Sequence, residues 1–448
     1  MELGLERTHR VLSYLGNPES SVCVLHVAGT NGKGSVVSML ESALLAGGAS
    51  VCAFVSPFLR EPRDSFRLNG KTIEIDIWNG ALEEVRAAKA GETTFEGWTA
   101  VALLLASRYK VDVLVLEVGL GGARDATNVI PPPLAAIITS LSLDHVDMIG
   151  PTLLEIAKEK SGIFKKNSGI LVTVPGQTTL ALDVLTAAAV AVGGEVTIAS
   201  KADLPHLLQL GLSGDFQERN AAAAFTVIRY IASGAVNYSP PTASLRPLIA
   251  AATSVLADDS ALLRKTWATL TVAGRLTSVN LPLPTGRLLT TIIDGGHNVE
   301  AMAALGRELR HRCGRHHRAV LVFACGASRN VEENFQILFS NFFEQSETSS
   351  SSLFSLHIIG VAFSPPQGMP WVSSHTPEVI IDAAKSAAMD LSLPSAVTVE
   401  CASTLEVALS LAAAAAATTT VEASAPLVAV CGSLYLVSDI YRTYFPEL

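Results

Sequence analysis

The chain has 448 residues, too many for one ordinary core and enough for two or three domains. Hydrophobic residues at 49% against 16% charged exclude a disordered or fibrous protein. A net charge of −9 excludes a global positive field for nucleic acid or an anionic membrane, so anionic ligands must be met by local basic groups.

Residues 5–16 predict an amphipathic helix stopped by Gly16-Asn17-Pro18. The start of the chain carries Glu2 and Glu6 and shows neither a basic region ahead of an apolar core nor an arginine-rich presequence, so a cytoplasmic location is expected. The apolar run Val22 to Val27 reads as a buried strand, and Val36 to Ala46 as a helix closed by Gly47-Gly48. Between them lies Gly29-Thr30-Asn31-Gly32-Lys33-Gly34-Ser35. Strand, glycine-rich turn and helix make a phosphate cradle, in which backbone N–H groups converge on an anion at a positive helix end. Lys33 would reach terminal phosphates and the Ser35 hydroxyl would ligate magnesium, so a nucleoside triphosphate is the expected ligand. The usual G-x-x-x-x-G-K-[ST] pattern is displaced: Val27 stands where its first glycine would be, Gly34 where its hydroxyl would be, and the hydroxyl comes at Ser35.

Val51 to Val55 predicts a second strand, ending at Ser56-Pro57 and completing a βαβ unit. Residues 58–70 (FLREPRDSFRLNG) read as an exposed basic loop beside the nucleotide. A helix over 95–107 leads to a central strand, Val111 to Val118, with Glu117 near its carboxyl end and the glycine-rich loop Gly119 to Asn128 behind it. Ligands collect outside the carboxyl ends of strands in open α/β sheets, so Glu117 is placed to hold magnesium opposite Ser35. The strand Ala135 to Ser140 runs into Leu141-Ser142-Leu143-Asp144-His145, and the helix Leu153 to Lys160 carries Glu155, Lys158, Glu159 and Lys160 on a charged face. By spacing alone His145 is a loop histidine or a ligand, and Lys160 is a surface lysine. Another strand, Ile170 to Val174, precedes a helix with Asn220 in its first turn.

Proline and glycine cluster without periodicity at 280–287, which sets an expected boundary between domains 1–285 and 286–448. Strands follow at 288–293, 320–325, 356–362 and 427–430, with Asp294-Gly295-Gly296-His297-Asn298 turning into a helix and Gly432-Ser433-Leu434-Tyr435 after the last strand. Residues 344–352 are low-complexity and read as a surface insertion. His311, Cys313, His316 and His317 lack the paired spacings of a zinc site and read as a basic loop. Cys23, Cys52, Cys313, Cys325, Cys401 and Cys431, with no C-x-x-C, read as reduced core thiols. Leu405 to Val421 contains Glu406 and is mostly alanine and threonine, which predicts a core-packing helix with a frayed end rather than a membrane span. The expected fold class is α/β: a P-loop domain with a parallel-dominated sheet and a smaller Rossmann-like domain after it.

Taken together, HVAGTNGKGS, SPFL with RLNG, TTFEGWTA, LEVGLGGARDATN, ITSLSLDH, EKSGIF, AGRL, DGGHN and GSLYLV resemble the folylpolyglutamate synthase/dihydrofolate synthase family, within the Mur ligase superfamily, from about residue 5 to 440. The resemblance implies a monomeric ATP-dependent amide ligase whose substrates are a folate, L-glutamate and ATP, with no nucleic acid and no membrane as partner. The acceptor γ-carboxylate would attack the γ-phosphate, and the glutamate amine would displace phosphate from the acyl phosphate. It implies that Gly29, Thr30, Asn31, Gly32, Lys33, Gly34 and Ser35 bind phosphates, and that Asn220, Arg275 and Asp294 surround the rest of the nucleotide. Ser35 and Glu117 would hold a first magnesium and His145 a second, helped by a carbamylated Lys160. Ser56, Arg63, His297 and Ser433 would lie near folate, acyl phosphate or glutamate, and Lys33, His297 and Lys160 would be catalytic. Dihydropteroate is the alternative acceptor, and a nucleotide-dependent binding switch the alternative of another class. The chain departs from the family pattern at Phe58 (usually histidine), at Arg63-Asp64-Ser65 (R-E-R) and at Ser328-Arg329-Asn330 (D-[KR]-D).

Overall fold

The computed structural model of the chain describes residues 4–234, 238–239, 244–283, 286–314, 318–343, 354–417 and 426–446. It divides into two compact units, Met1–Leu270 and Thr271–Leu448.

The first unit opens with α1 (Glu6–Tyr14), then β1 (Val24–Ala28), α2 (Lys33–Ala46) and β2 (Val51–Phe54). Two short strands, β3 (Phe66–Leu68) and β4 (Lys71–Thr72), precede α3 (Ile75–Ala87), α4 (Thr94–Arg108) and β5 (Val113–Glu117). There follow β6 (Ala135–Ile138), α5 (Val146–Ile149), α6 (Leu153–Ser161), β7 (Ile170–Thr173), α7 (Thr179–Ala191), β8 (Val196–Ile198), α8 (Gln217–Ala232) and α9 (Arg246–Ala268). They build an eight-stranded sheet of order β4-β3-β2-β5-β1-β6-β7-β8. Its central strands VLHVA, VLVLE and AAII are buried at every position, as strands covered on both faces must be, and all pair in parallel. In register, Val27 lies beside both Glu117 and Ile137, so the segments after β1, β5 and β6 leave the sheet at one edge. β2 joins them in parallel through Phe54 and Leu116.

Helix α2 is buried along most of its length and packs against α9, where the Trp267 indole N–H donates to the Met39 carbonyl at 3.1 Å. The fit is close at Gly47: a Cβ there would lie 2.3 Å from the Ala251 carbonyl oxygen. A second cluster, with Ile138, Ala157, Ile163, Leu171 and Leu185, seats α6 and α7.

Residues 58–70 are not a free loop. A 3-10 turn at Pro62–Ser65 and the antiparallel pairs β2–β3 and β3–β4 fold them onto the sheet edge, with Phe58, Asp64, Ser65 and Phe66 buried. Phe66 supplies the reason, since it continues the apolar face opposite Phe54.

The second unit contains β9 (Thr277–Pro282), β10 (Leu288–Ile293), α10 (Val299–Cys313), β11 (Arg318–Phe323), α11 (Val331–Phe342), β12 (Ser355–Gly360), α12 (Pro377–Asp390), β13 (Val397–Cys401), α13 (Leu405–Ala417), β14 (Leu427–Cys431) and α14 (Leu434–Tyr444). Its six-stranded sheet has the order β13-β12-β11-β14-β10-β9, parallel except for β9. The proline- and glycine-rich run expected to separate the domains is instead the end of an antiparallel hairpin: Leu281 pairs with Leu289, and the units divide at Leu270–Thr271 rather than near 285. Cys401, on the edge strand β13, is exposed, unlike the other cysteines, which are buried. The low-complexity run at 344–352, His316 and His317, and the threonine-rich end of the 405–421 segment lie outside the described residues. Among the described residues no helix is long and apolar enough to cross a membrane.

Candidate active site

The phosphate loop sits at the carboxyl edge of the first sheet. β1 ends at Ala28, the loop follows, and α2 begins at Lys33 with its first-turn amides turned toward the loop. The loop is fastened to the segment after β6: the Thr30 amide donates to the Ser140 carbonyl at 2.7 Å, and Thr30 Oγ1 exchanges hydrogen bonds with the Ser142 backbone at 3.1 Å. Gly32 has φ +90°, and a Cβ there would stand 2.5 Å from Asn220 Oδ1, so both backbone and space require glycine. Lys33 Nζ donates to the Gly29 and Thr30 carbonyls, each at 3.1 Å.

Glu117, the last residue of β5, is 2% exposed. Its Oε2 accepts from the Ser56 amide at 3.4 Å and would lie 3.5 Å from a Cβ at Gly34. The register of β1 against β5 therefore brings carboxylate, phosphate loop and Ser56 together. His145 caps α5 with a left-handed φ of 51°, and its amide donates to Asp144 Oδ1 at 2.8 Å.

Lys160 corrects the reading from spacing. It is 5% exposed, on the inward face of α6 with Ile156 and Ala157, and its Nζ donates to the Gly29 carbonyl at 2.8 Å. Burial, then the nearby Lys33 charge, lower its pKa from 10.5 to about 7 against the opposing pull of Asp144, Asp125 and Glu159. Two lysines thus share one carbonyl oxygen.

Asn220 lies in the first turn of α8, beside a residue that pattern reading passed over. Gln217 is fully buried, its Nε2 donates to Ser35 Oγ at 3.3 Å and its Oε1 accepts from Asn220 Nδ2 at 3.0 Å. Its signal was available: positions 217, 220, 221 and 224 form one inward stripe, and a glutamine on it needs a buried partner. A second missed group is the string His26–Thr127–Asp125. Thr127 Oγ1 lies 2.9 Å from His26 Nε2 and donates to Asp125 Oδ1 at 2.5 Å, while Asp125 Oδ2 accepts from the Leu120 amide at 2.8 Å. Burial, then the Lys165 charge, lowers the His26 pKa well below its ordinary value, and the string ties the glycine-rich loop after β5 to the phosphate-loop strand.

The arginines of the segment after β2 are engaged by protein groups, Arg67 by Glu41 of α2. Arg60 donates to Asp64 from its amide, Nε and Nη2 at 3.0, 3.0 and 2.9 Å, and Arg63 donates to Glu61 Oε1 at 2.7 Å and to the Ile73 carbonyl at 3.0 Å. Phe58 sets its ring edge-on to Trp98 with centroids 5.4 Å apart, and the Ser65 carbonyl accepts from the Val55 amide at 2.8 Å. Both departures from the family pattern are therefore packed into the fold.

In the second unit, Asp294 directly follows β10 and accepts from the Leu276 and Gly296 amides at 3.0 and 2.8 Å. Burial raises its pKa and the Arg275 charge opposes that rise. His297 Nδ1 lies 2.9 Å from the Gly295 carbonyl, and Ser433 caps α14 by accepting from the Tyr435 amide at 3.1 Å. β10 and β14 are neighbours, so Asp294, His297 and Ser433 share one carboxyl edge. Asn330, in the departing Ser328-Arg329-Asn330, caps α11 through its Oδ1.

Residues 27–181 match the Mur ligase middle domain, and residues 278–443 the dihydrofolate synthetase C-terminal domain. The chain is 31% identical over 465 residues to a probable dihydrofolate synthetase of Schizosaccharomyces pombe, covering 99% of this chain and 98% of that one. It is 38% identical over 180 residues to a dihydrofolate synthase/folylpolyglutamate synthase of Bacillus subtilis, covering 38% of this chain and 42% of that one. Among solved structures, Mycobacterium tuberculosis folylpolyglutamate synthase complexed with ADP and AMPPCP has the same fold, with a TM-score of 0.75 and 24% identity over 99% of this chain and 95% of that one.

Proposed function

The chain belongs to the folylpolyglutamate synthase/dihydrofolate synthase family of ATP-dependent ligases, and from that premise we propose how its own residues join L-glutamate to a folate-type carboxylate. The observation that carries this reading is the meeting of Lys33, Ser35, Glu117 and Lys160 around one loop at the carboxyl edge of the first sheet.

Lys33 and the amides of Gly29, Thr30, Asn31, Gly32 and Gly34 bind the nucleotide phosphates, which requires Lys33 to leave its resting carbonyls for a stronger, charged partner. Asn220 flanks the loop on its Gly32 side. An acceptor carboxylate oxygen forms the bond to the γ-phosphorus as the bond to ADP breaks. The amine of L-glutamate then attacks the acyl carbon, phosphate leaves with the bonding pair, and the amine proton passes to solvent. No protein nucleophile is needed; the residues supply position and charge. Ser56 and Arg63 are assigned to the acceptor side, and His297 and Ser433 to glutamate.

A hydroxyl at Ser35 and a buried carboxylate at Glu117 are hard oxygen donors that fit magnesium, which when bound supplies charge neutralisation at the phosphates. His145 is assigned to a second ion. Lys160 as an ammonium cannot ligate a cation. With its pKa near 7 a share of the amine is neutral, and addition to CO2 gives a carbamate and a proton, turning it into an oxygen donor. A monomer and a cytoplasmic location complete the proposal.

Two acceptors share this chemistry: a reduced folate, which would be polyglutamylated, and dihydropteroate. The second is favoured by a specific observation, the match over nearly the whole length to a relative named as a dihydrofolate synthetase. Substituting Lys33→Ala tests the common core of both readings: ligated product should vanish while the fold remains, and retained ligation would refute it.

A further inference from the structure

Within the ligase reading, on which this inference rests, Ser35 is the hydroxyl that would meet magnesium, and the side chain that holds it comes from another helix. Ser35 is the third residue of α2 and 1% exposed. A serine near a helix start can turn among staggered rotamers and can bond back to the carbonyl four residues earlier, which would draw its oxygen away from a cation. A hydroxyl offers a proton and two lone pairs. Gln217 Nε2, in the first turn of α8, donates to Ser35 Oγ at 3.3 Å and so occupies one lone pair. The other is left for a cation and the proton for a phosphate oxygen.

The Gln217 amide is itself fixed. It is fully buried, and its Oε1 accepts from Asn220 Nδ2 at 3.0 Å, which sets the end of the amide that faces Ser35. Ala221, Ala223 and Ala224, the next residues of that helix, are fully buried, and their small side chains let α8 lie close against α2. Asn220 stands against the other end of the same run, since a Cβ at Gly32 would lie 2.5 Å from its Oδ1. One turn of α8 therefore grips the segment Gly32 to Ser35 at both ends, with Lys33 and Gly34 between the two contacts.

We propose that Gln217 is a positioning residue for the metal: by donating to Ser35 Oγ it presents the remaining lone pair to magnesium and so couples nucleotide binding to the ion. Gln217 adds no ligand of its own, because its amide oxygen is committed to Asn220 and its nitrogen carries only donors.

The test is equilibrium titration of the full chain with ADP, with and without magnesium, for the wild type, Gln217→Met, Ser35→Ala and the double variant. Methionine keeps the length of glutamine and lacks its donor. In Gln217→Met the magnesium concentration that half-saturates the tightening of ADP binding should rise about tenfold, the scale of losing a group that orients a metal ligand. Its affinity for ADP without magnesium should stay that of the wild type, whereas a role confined to holding the loop would weaken both alike. The double variant should be no worse than Ser35→Ala, because Gln217 acts through that hydroxyl. An unchanged magnesium requirement, an equal loss of ADP affinity with and without the ion, or effects that add in the double variant would overturn the inference. Should Gln217→Met fail to fold, Gln217→Asn, whose amide is drawn back by one methylene, is read by the same criteria. ADP binding by the wild type that ignores magnesium would instead bring down the metal assignment of Ser35, and this inference with it.

Discussion

Lys33 and Lys160 both donate to the Gly29 carbonyl, and their shared position fixes what each substitution should do. Lys33→Ala should lower kcat by at least about a hundredfold, the scale of losing one preorganised charge at the reacting group. Lys160 gives a pH signature with a definite sign. Its folded pKa is near 7 and its ordinary value 10.5. Below pH 7 both folded and unfolded chains carry the proton and the burial penalty is complete. Between pH 7 and 10.5 the unfolded chain binds more protons, so stability should rise with pH there. Chemical unfolding of the wild type and Lys160→Met across that window checks this: the methionine variant should lack the rise. In activity, turnover should increase through pH 7 and respond to added bicarbonate, and an indifferent wild type would remove carbamylation from the account. Glu117 and Ser35 were legible in sequence because strand, turn and helix leave few other places for a carboxylate and a hydroxyl. Spacing alone reads Lys160 as a surface lysine because its neighbours Lys158 and Glu159 are charged, although it lies four residues after Ile156 on the same helical face.

At the scale of elements, two glycines carry predictions of different kinds. Gly47 has an ordinary helical backbone but meets the Ala251 carbonyl, so Gly47→Ala should push α2 from α9 and cost about 1–3 kcal/mol in urea unfolding while leaving KM for ATP unchanged. Gly32 has a left-handed backbone and meets Asn220, so Gly32→Ala should weaken nucleotide binding directly, which equilibrium titration with ADP would show. The apolar strands β1, β5, β6, β11 and β14 were readable because burial on both faces leaves nearly unbroken apolar runs. β3 and β4 were not, since an edge hairpin of alternating Phe, Arg and Leu looks like a basic loop until Phe66 finds its place opposite Phe54. β9 and β13 are half-exposed edge strands, and their polar alternation gave no sign of a core.

The whole molecule is acidic, yet its candidate site gathers Lys33 and Lys160 at one sheet edge, so anion binding depends on local placement rather than on net charge. Two α/β units were legible from the renewed strand pattern after residue 288; their division at 270 was not, because the Pro/Gly run that marks a linker in many chains here closes a hairpin. Two of the residues that depart from the family pattern, Phe58 and Ser65, are buried parts of the scaffold of the first unit. The most direct test of the central claim is mass spectrometry of products after incubation with Mg-ATP, L-glutamate and either tetrahydrofolate or dihydropteroate, for the wild type and Lys33→Ala. The account predicts addition of glutamate to at least one acceptor, with ADP formed in equal amount, and none by the variant. ATP hydrolysis without any glutamate-bearing product, or product formed equally by Lys33→Ala, would contradict it.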